Sequence, residues 1–197
     1  MPPKPKYTRE EIVNAAFEMT REGGIQSVVA RELGKKLGTS ASPIFTAFKN
    51  MEELQQEVRR MAMKEFEAYV HDAVNHPPVF KEFGMKMVQF SIEEPKLFQL
   101  LYMQEKDSIQ TYTDMIKELG DTVEVCLEFI QKDYELSREQ AELLFQQVWL
   151  FTFGICVLLA GKVCFFTGEE VSSMLSIEFQ STLMLIKSGK YKDYSNK

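Results

Sequence analysis

Apolar residues along this chain recur at intervals of three and four, the spacing that places them on one face of an α-helix. No stretch alternates apolar and polar residues in the way that predicts a β-strand. We therefore predict an all-α chain of about nine helices, two of which are short and lie between residues 25 and 49. The longer periodic segments are 8–22, 50–71, 80–93, 95–103, 109–130, 137–161 and 167–189.

Helix-capping residues stand at the start of several of these segments. The stretches 8–11, 50–53, 137–140 and 167–170 each pair a short polar residue with Glu or Gln three positions later. In such a capping box, each side chain accepts a hydrogen bond from a backbone N–H that the first helical turn leaves free. The boxes therefore predict where four of the helices begin.

The segment from Leu143 to Gly161 contains no charged residue, and much of it is apolar on every side. A helix of this kind must be buried all round. About fourteen strongly apolar residues fit a buried core helix better than a membrane span, which needs roughly 20. We therefore expect no membrane association, and we expect one face of this helix to pack inside the chain.

We also predict a homodimer. In it, the other face of that helix and the apolar stripe of segment 167–189 pack on a second copy of the chain. The residues predicted for this interface are Phe151, Ile155, Leu158, Leu175, Phe179, Leu183 and Ile186.

Two short apolar-periodic segments flank a tight junction near Gly38. Val29, Leu33 and Leu37 form the first stripe, and Ile44, Phe45 and Phe48 are the apolar residues of the second. Gly38 follows the first stripe at the position where a helix commonly ends in a left-handed residue, which glycine adopts at low cost. Two short helices joined by such a turn are typical of a helix-turn-helix, although an ordinary pair of core helices fits the same pattern.

Residues 8–60 as a whole resemble the DNA-binding domain of the tetracycline-repressor (TetR) family. The resemblance implies a three-helix DNA-binding domain over residues 1–50, linked through a helix at about 50–72 to an effector-binding and dimerisation domain over 51–197. It also implies a dimer formed through the last two helices. The matching positions are Ile12, Ala15, Ala16, Phe17, Gly23, Arg31, Leu33, Leu37, Gly38, Ser40, Ile44, Phe45, Phe48 and Leu54.

The distribution of charge agrees with a nucleic-acid partner for the N-terminal region. The whole chain carries a net charge of −6, yet residues 1–50 contain eight Lys and Arg against five Glu. A basic head on an acidic body can bind polyphosphate locally. We expect Arg31 to read guanine and the lysines to contact phosphates. The candidate DNA-binding residues are Lys4, Lys6, Arg31, Lys35, Lys36, Ser40, Ala41, Ser42, Pro43, Phe45, Thr46 and Lys49.

The C-terminal region is rich in aromatic and thioether side chains. Core packing accounts for many of them, while the family resemblance implies an effector cavity among the same helices. The few polar groups nearby predict an apolar or aromatic effector. The candidate ligand-binding residues are Phe83, Met87, Phe90, Tyr112, Met115, Trp149 and Phe153.

The sequence offers little support for catalysis. It contains no Gly-rich phosphate loop, no metal-binding cysteine pair and no nucleophile elbow. His71 and His76 read as solvated residues at a helix end. We therefore predict no enzyme activity, no cofactor and no metal site. The three cysteines are expected to be buried, reduced thiols, and the absence of a secretory signal indicates the cytoplasm.

These observations predict a dimeric transcriptional regulator that binds double-stranded DNA and is released by a small molecule. The alternative is a dimeric helical protein that binds small molecules without strong DNA affinity. It is suggested by Phe45, Ala47 and Met51, which stand where the TetR family usually has Tyr, His and Lys. An enzyme on a helical scaffold is a third, more distant interpretation.

Overall fold

A computed structural model describes residues 7–105, 111–117, 119 and 121–190 of the chain. All regular secondary structure in these residues is helical, which confirms the all-α prediction. Two short 3-10 helices lie at Ile25–Ser27 and Asp72–Asn75. The α-helices are α1 (Arg9–Gly23), α2 (Ala30–Lys36), α3 (Ser42–Ala47), α4 (Met51–His71), α5 (Val79–Glu93), α6 (Pro95–Tyr102), α7 (Tyr112–Lys117), α8 (Thr122–Tyr134), α9 (Arg138–Ala160) and α10 (Gly168–Lys187).

Three of the predicted capping boxes are present with both hydrogen bonds, at Thr8, Ser137 and Thr167. The fourth is altered. The N–H of Glu53 donates to the side-chain oxygen of Asn50 at 2.8 Å, but the Glu53 carboxylate accepts from the N–H of Lys49 rather than from that of Asn50. Each arrangement still satisfies two backbone donors at the start of a helix.

The segment from 109 to 130 is two helices, so the prediction of a single helix there was wrong. α7 ends at Lys117, Leu119 lies in a turn, and α8 begins at Thr122. The sequence between the two helices contains Gly120 and Asp121, both poor helix formers. The apolar period continues across the break because Leu119 is itself buried.

The chain divides into two compact units. The first contains residues 1–66 and 94–105, and the second contains 67–93 and 106–197. The boundary that the sequence suggested at residue 50 falls inside the first unit, which also includes α6. We call these the first unit and the second unit below.

In the first unit, fully buried residues from four helices form the core. They are Ile12 and Ala16 of α1, Leu33 of α2, Ile44 of α3, and Leu54 of α4. α6 packs against α1 and is held at both of its ends by arginines.

At the beginning of α6, the Arg21 guanidinium bonds the carboxylate of Glu94 at 2.9 Å. At its end, the Arg59 guanidinium donates to the carbonyls of Leu100 at 2.6 Å and Leu101 at 2.7 Å, which satisfies acceptors that the helix leaves unpaired.

In the second unit, α9 packs against α5, α8 and α10. The interior is aromatic, with Phe83, Phe90 and Trp149 almost fully buried. Cys126 and Cys156 are buried as expected, but Cys164 is exposed, so the expectation of three buried thiols was wrong at that position. Cys164 lies beyond the end of α9, in the segment before α10.

By length and composition alone, α9 could cross a membrane, since its most apolar window has a mean hydropathy of 2.0. In the chain as it stands, 44% of that window is buried. Core helices of globular proteins share these properties, so the finding carries little weight on its own.

Candidate functional site

The turn between α2 and α3 depends on two glycines. Gly38 adopts a left-handed conformation with φ of +65°, as its position after the apolar stripe predicts. Gly34 allows a close approach that sequence reasoning missed. A Cβ at residue 34 would lie 3.0 Å from the Thr39 carbonyl oxygen and from the carbonyl carbon of Ser40. The Thr39 N–H also donates to the Gly34 carbonyl at 2.8 Å, so the turn folds back directly onto α2. A glycine inside a short helical stripe was the available signal.

α3 buries one side and exposes the other. Ile44 is buried, while Ser42, Phe45 and Thr46 are exposed. Ser40, whose hydroxyl could have capped the helix, does not do so. The residue before the first turn is Ala41, and the Ser40 hydroxyl only receives a 3.4 Å contact from the N–H of Ser42.

The end of α3 is held by Arg9 of α1. The Arg9 guanidinium donates to the Ala47 carbonyl at 2.8 Å and lies over the Phe48 ring, 4.0 Å from its centroid. It also pairs with the Glu53 carboxylate of α4 at 2.8 Å. The buried side of α3 and the contact of its last carbonyl with Arg9 therefore fix the orientation of the helix. Its outward side remains exposed to solvent.

The cations predicted to contact DNA fall into two groups. Lys35 and Lys36 form ion pairs with Glu32 at 2.8 Å and Glu22 at 3.5 Å, respectively. Arg31 and Lys49 are exposed and make no ion pair with any residue that the structure describes. Exposed ion pairs of the first kind contribute little and exchange readily. Lys4 and Lys6 lie outside the described residues.

A cavity of about 140 Å³ lies within the second unit, between α5, α8, α9 and α10. Of the predicted ligand-binding residues, Phe83, Met87 and Trp149 line it. Sequence reasoning missed the contributions of Phe129 and Tyr134, because α8 was treated as the continuation of a longer helix. The other lining residues are Pro78, Val79, Phe80, Lys81, Gly84, Ile130, Asp133, Val148, Thr152, Leu175, Ser176, Phe179 and Gln180.

The remaining predicted ligand residues lie near Trp149 or farther away. Phe153 stacks on the Trp149 ring with centroids 5.1 Å apart, and Tyr112 meets it edge-on at 5.8 Å. Phe90 instead packs against Tyr69, and Met115 is partly exposed on α7. None of these four lines the cavity.

Two buried polar atoms in this aromatic cluster have no hydrogen-bond partner among the described residues: the indole nitrogen of Trp149 and the hydroxyl of Tyr112. Burial raises the pKa of Tyr112, so its hydroxyl stays protonated at neutral pH. By contrast, the buried Thr152 hydroxyl donates to the Val148 carbonyl at 2.7 Å. The unsatisfied donors therefore belong to the aromatic side chains.

The residues predicted for the dimer interface separate into two sets. Ile155, Leu175, Leu183 and Ile186 are buried inside the single chain, and Phe179 lines the cavity. Leu175, Phe179, Leu183 and Ile186 lie on the inward side of α10, and Ile155 lies on an inward side of α9. Phe151 and Leu158 are exposed, as an interface requires. Sequence reasoning missed the other large apolar side chains exposed on and between the two helices, which are Leu150, Val163, Phe165, Ile177, Met184 and Leu185.

The two histidines lie at the exposed end of α4 and just after it. Nε2 of His76 is 3.6 Å from the Asp72 carboxylate, which also pairs with Lys86 at 2.8 Å. The Lys86 ammonium lowers the pKa of Asp72. In the part of the chain that the structure describes, no group of three or more His, Cys, Asp or Glu side chains could hold a metal ion.

No protein-family model matches this chain, and a search of curated proteins found no significant similarity.

Proposed function

We propose that the protein is a sequence-specific DNA-binding regulator of the TetR kind, a cytoplasmic homodimer whose binding to its operator is relieved by a small molecule. The observation that supports this most directly is the outward side of α3. α3 is a short helix anchored by Ile44, Phe48 and Arg9, and it leaves Ser42, Phe45 and Thr46 exposed. Arg31 of α2 and Lys49, just beyond α3, are also exposed and form no ion pair with a described residue.

A helix held in this way is suited to the role of a recognition helix in a helix-turn-helix, whose N-terminal residues meet base edges in the major groove. Ser42 and Thr46 can hydrogen-bond to a base or a phosphate, and Phe45 and Pro43 offer apolar contact to a thymine methyl group. Arg31 can bond guanine through two nitrogens, and Lys49 can neutralise a phosphate. Ser40 and Ala41 directly precede α3 and complete the proposed set together with Lys35 and Lys36, which are exposed on α2.

A single copy of such a helix reads only a short half-site, so the proposal requires a dimer. The apolar side chains exposed on α9 and α10 supply a surface for it. Large apolar side chains exposed on two helices that pack together are typical of a protein interface. Two recognition helices must then reach successive major grooves, roughly 34–36 Å apart.

Release by an effector needs a ligand that binds one arrangement of the dimer better than another. The cavity of the second unit is the candidate effector site, because most of the side chains that line it are aromatic or aliphatic.

The test begins with selection of bound sequences from randomised duplex DNA by the purified full-length protein. Fluorescence anisotropy then gives the affinity for the selected site as a function of salt. Arg31→Ala should cost about 1–3 kcal/mol and relax the preference at one base pair in each half-site. Lys49→Ala should weaken binding to all sequences equally and reduce the salt slope by about one.

Lys132→Ala is the matched control, since Lys132 is an exposed lysine on α8 of the second unit. It should leave affinity, base preference and salt slope unchanged. The proposal is wrong if selection yields no enriched sequence at low salt, or if Arg31→Ala changes neither affinity nor base preference. A dimer that binds small molecules but no DNA would establish the alternative function, which the apolar Phe45 on the outward side of α3 favours.

A further inference from the structure

We propose that the cavity of the second unit binds a small, uncharged aromatic molecule carrying a hydrogen-bond acceptor, and that the indole N–H of Trp149 donates to this acceptor. The inference rests on the proposed function only in naming the chemical class of its effector. The binding itself involves residues of the second unit and requires no DNA.

The volume of the cavity limits the size of the ligand. An apolar cavity of about 150 Å³ in another protein is large enough to bind benzene. The cavity described here has a similar volume, about 140 Å³. It therefore accommodates one aromatic ring with a small substituent, and it is too small for an extended polycyclic molecule.

The cavity wall favours an aromatic ligand. Six of the lining residues carry aromatic rings, and rings stack on one another or meet edge to face with a gain beyond simple burial. The rings of Phe80, Phe179 and Tyr134 already form such a chain, with centroids 5.9 Å and 5.0 Å apart. A ligand ring would extend this packing. The aromatic lining residues are Phe80, Phe83, Phe129, Tyr134, Trp149 and Phe179.

The charges at the cavity favour a neutral molecule. Lys81 and Asp133 are the charged lining residues; they have opposite signs, and both are exposed to solvent. The fully buried part of the wall offers no ionised group to pair with a charged ligand, and burying an unpaired charge is very costly.

The requirement for an acceptor comes from Trp149. Its side chain is 1% exposed, lines the cavity, and has an indole nitrogen that finds no acceptor within the described chain. An indole nitrogen can only donate. The nearby Thr152 hydroxyl already donates its hydrogen bond to the Val148 carbonyl. Trp149 therefore brings to the cavity wall a buried N–H without an acceptor among the described residues, and a ligand carbonyl or ether oxygen would satisfy it.

The experiment uses a matched pair of probes. Acetophenone and α-methylstyrene have nearly the same shape, but the first has a carbonyl oxygen where the second has a CH₂ group. Trp149 is the only tryptophan in the chain, so 15N-labelled full-length protein gives one indole N–H resonance. Titration with acetophenone should move the indole proton downfield in a saturable manner, as hydrogen bonding does. α-Methylstyrene should produce only the shift expected from its ring current.

Substitution separates the hydrogen bond from the shape of the site. Trp149→Phe should raise the dissociation constant for acetophenone about tenfold, since one hydrogen bond to a desolvated donor is lost, and should change that for α-methylstyrene less than about twofold. Isothermal titration calorimetry provides both constants. Gly84→Val, which places methyl groups toward Leu175 and Thr152 at the cavity wall, should abolish binding of both probes.

Saturable binding of neither probe up to its solubility limit would overturn the proposal. So would equal losses of both probes on Trp149→Phe in a variant that keeps its helical circular dichroism. Since no DNA is present, these results are independent of the operator test: a protein that binds its operator but neither probe refutes this inference and leaves the proposed DNA binding intact.

Discussion

The two units of this chain differ in whether their polar groups have hydrogen-bond partners. In the first unit, three arginines hold helix ends: Arg9 at the end of α3, and Arg21 and Arg59 at the two ends of α6. In the second unit, the interior is aromatic and encloses a cavity, and the buried donors of Tyr112 and Trp149 have no partner among the described residues.

The difference agrees with the roles proposed for the two units. A helix that must present a fixed surface gains from donors that saturate its last carbonyls, because every alternative orientation would leave them unpaired. A region that must admit another molecule gains from the reverse, since a donor left without a partner favours the arrival of an acceptor.

The largest effects are expected from substitutions at two adjacent residues of α10, one on its inward side and one on its outward side. Leu183 is 7% exposed and Met184 is 70% exposed. Leu183→Glu would place an unpaired charge in the second unit's interior, at a cost of about 3–5 kcal/mol. We expect it to abolish the cooperative folding of the chain, as seen in circular dichroism during urea unfolding.

Met184→Glu should leave the chain helical and should lower the sedimenting mass from twice the 22.8 kDa of one chain to a single copy. Equal effects of the two substitutions on folding would contradict the assignment of inward and outward sides of α10. A Met184→Glu variant that stays dimeric would place the interface elsewhere.

The second prediction concerns the arginine at the end of α6. Arg59→Met keeps most of the apolar stem but removes the donors to Leu100 and Leu101, and should lower the free energy of unfolding by about 1.5–3 kcal/mol. Its neighbour Arg60 is 60% exposed and pairs with Glu57 at 2.7 Å. Arg60→Met should therefore cost no more than about 1 kcal/mol in the same urea titration. Similar costs for both would show that the carbonyl contacts contribute little.

The third prediction tests the close approach in the turn between α2 and α3. Gly34→Ala places a Cβ 3.0 Å from backbone atoms of Thr39 and Ser40, and backbone cannot move aside as a side-chain end can. The expected cost is about 1–3 kcal/mol by thermal unfolding.

Gly168→Ala provides the control from the second unit, because a Cβ there meets nothing within 4 Å at the exposed start of α10. That substitution should be neutral or stabilising by up to about 1 kcal/mol. A stabilising effect of both alanines would show that the turn at Gly34 relaxes freely.

The smallest expected effect is a dependence on pH at Glu53. The N–H of Lys49, and then the guanidinium of Arg9, hold the pKa of this carboxyl below its usual value of 4.5. Since the pKa is lower in the folded state, the contribution to stability is present above pH 4.5 and is lost as the pH falls through that value and the folded pKa.

Glu53→Gln should therefore differ from the unmodified protein in the midpoint of urea unfolding at about pH 6 and converge toward it near about pH 3. In an Arg9→Met background this difference should become smaller, because the guanidinium that helps to lower the pKa of Glu53 is absent. A constant difference for Glu53→Gln across this range would show that its ionisation is not linked to folding.

The sequence predicted those parts of the fold that depend on neighbours along the chain. The boxes at Thr8, Ser137 and Thr167, the left-handed Gly38 and the short helix after Pro95 are all present, because each is determined by interactions within a few residues. The break between α7 and α8 was missed because the buried Leu119 preserves the apolar period across a turn.

The positions of the interface and cavity residues depend on how the helices pack together, which the spacing of residues along the chain does not show. Phe179 and Leu183 are spaced as an interface stripe would be, yet they face inward because α9 and α5 lie beneath that side of α10. The cavity needed the positions of four helices at once. Residues whose exposure followed from their own helix, such as Arg31 and Thr46, could be placed from the sequence, whereas Phe45 was grouped with the apolar stripe of α3 and is exposed.

The uneven burial of the three cysteines also makes the chain convenient for labelling. Thiolate, not thiol, reacts with maleimides. Burial raises the pKa of both Cys126 and Cys156 to about 12, so they are protonated as well as covered near neutral pH. Cys164 is exposed between Val163 and Phe165, beyond the end of α9. A fluorophore or spin label added to the unmodified protein should therefore attach once per chain, beside the apolar surface proposed to join two copies, and would report the distance between them without any engineered cysteine.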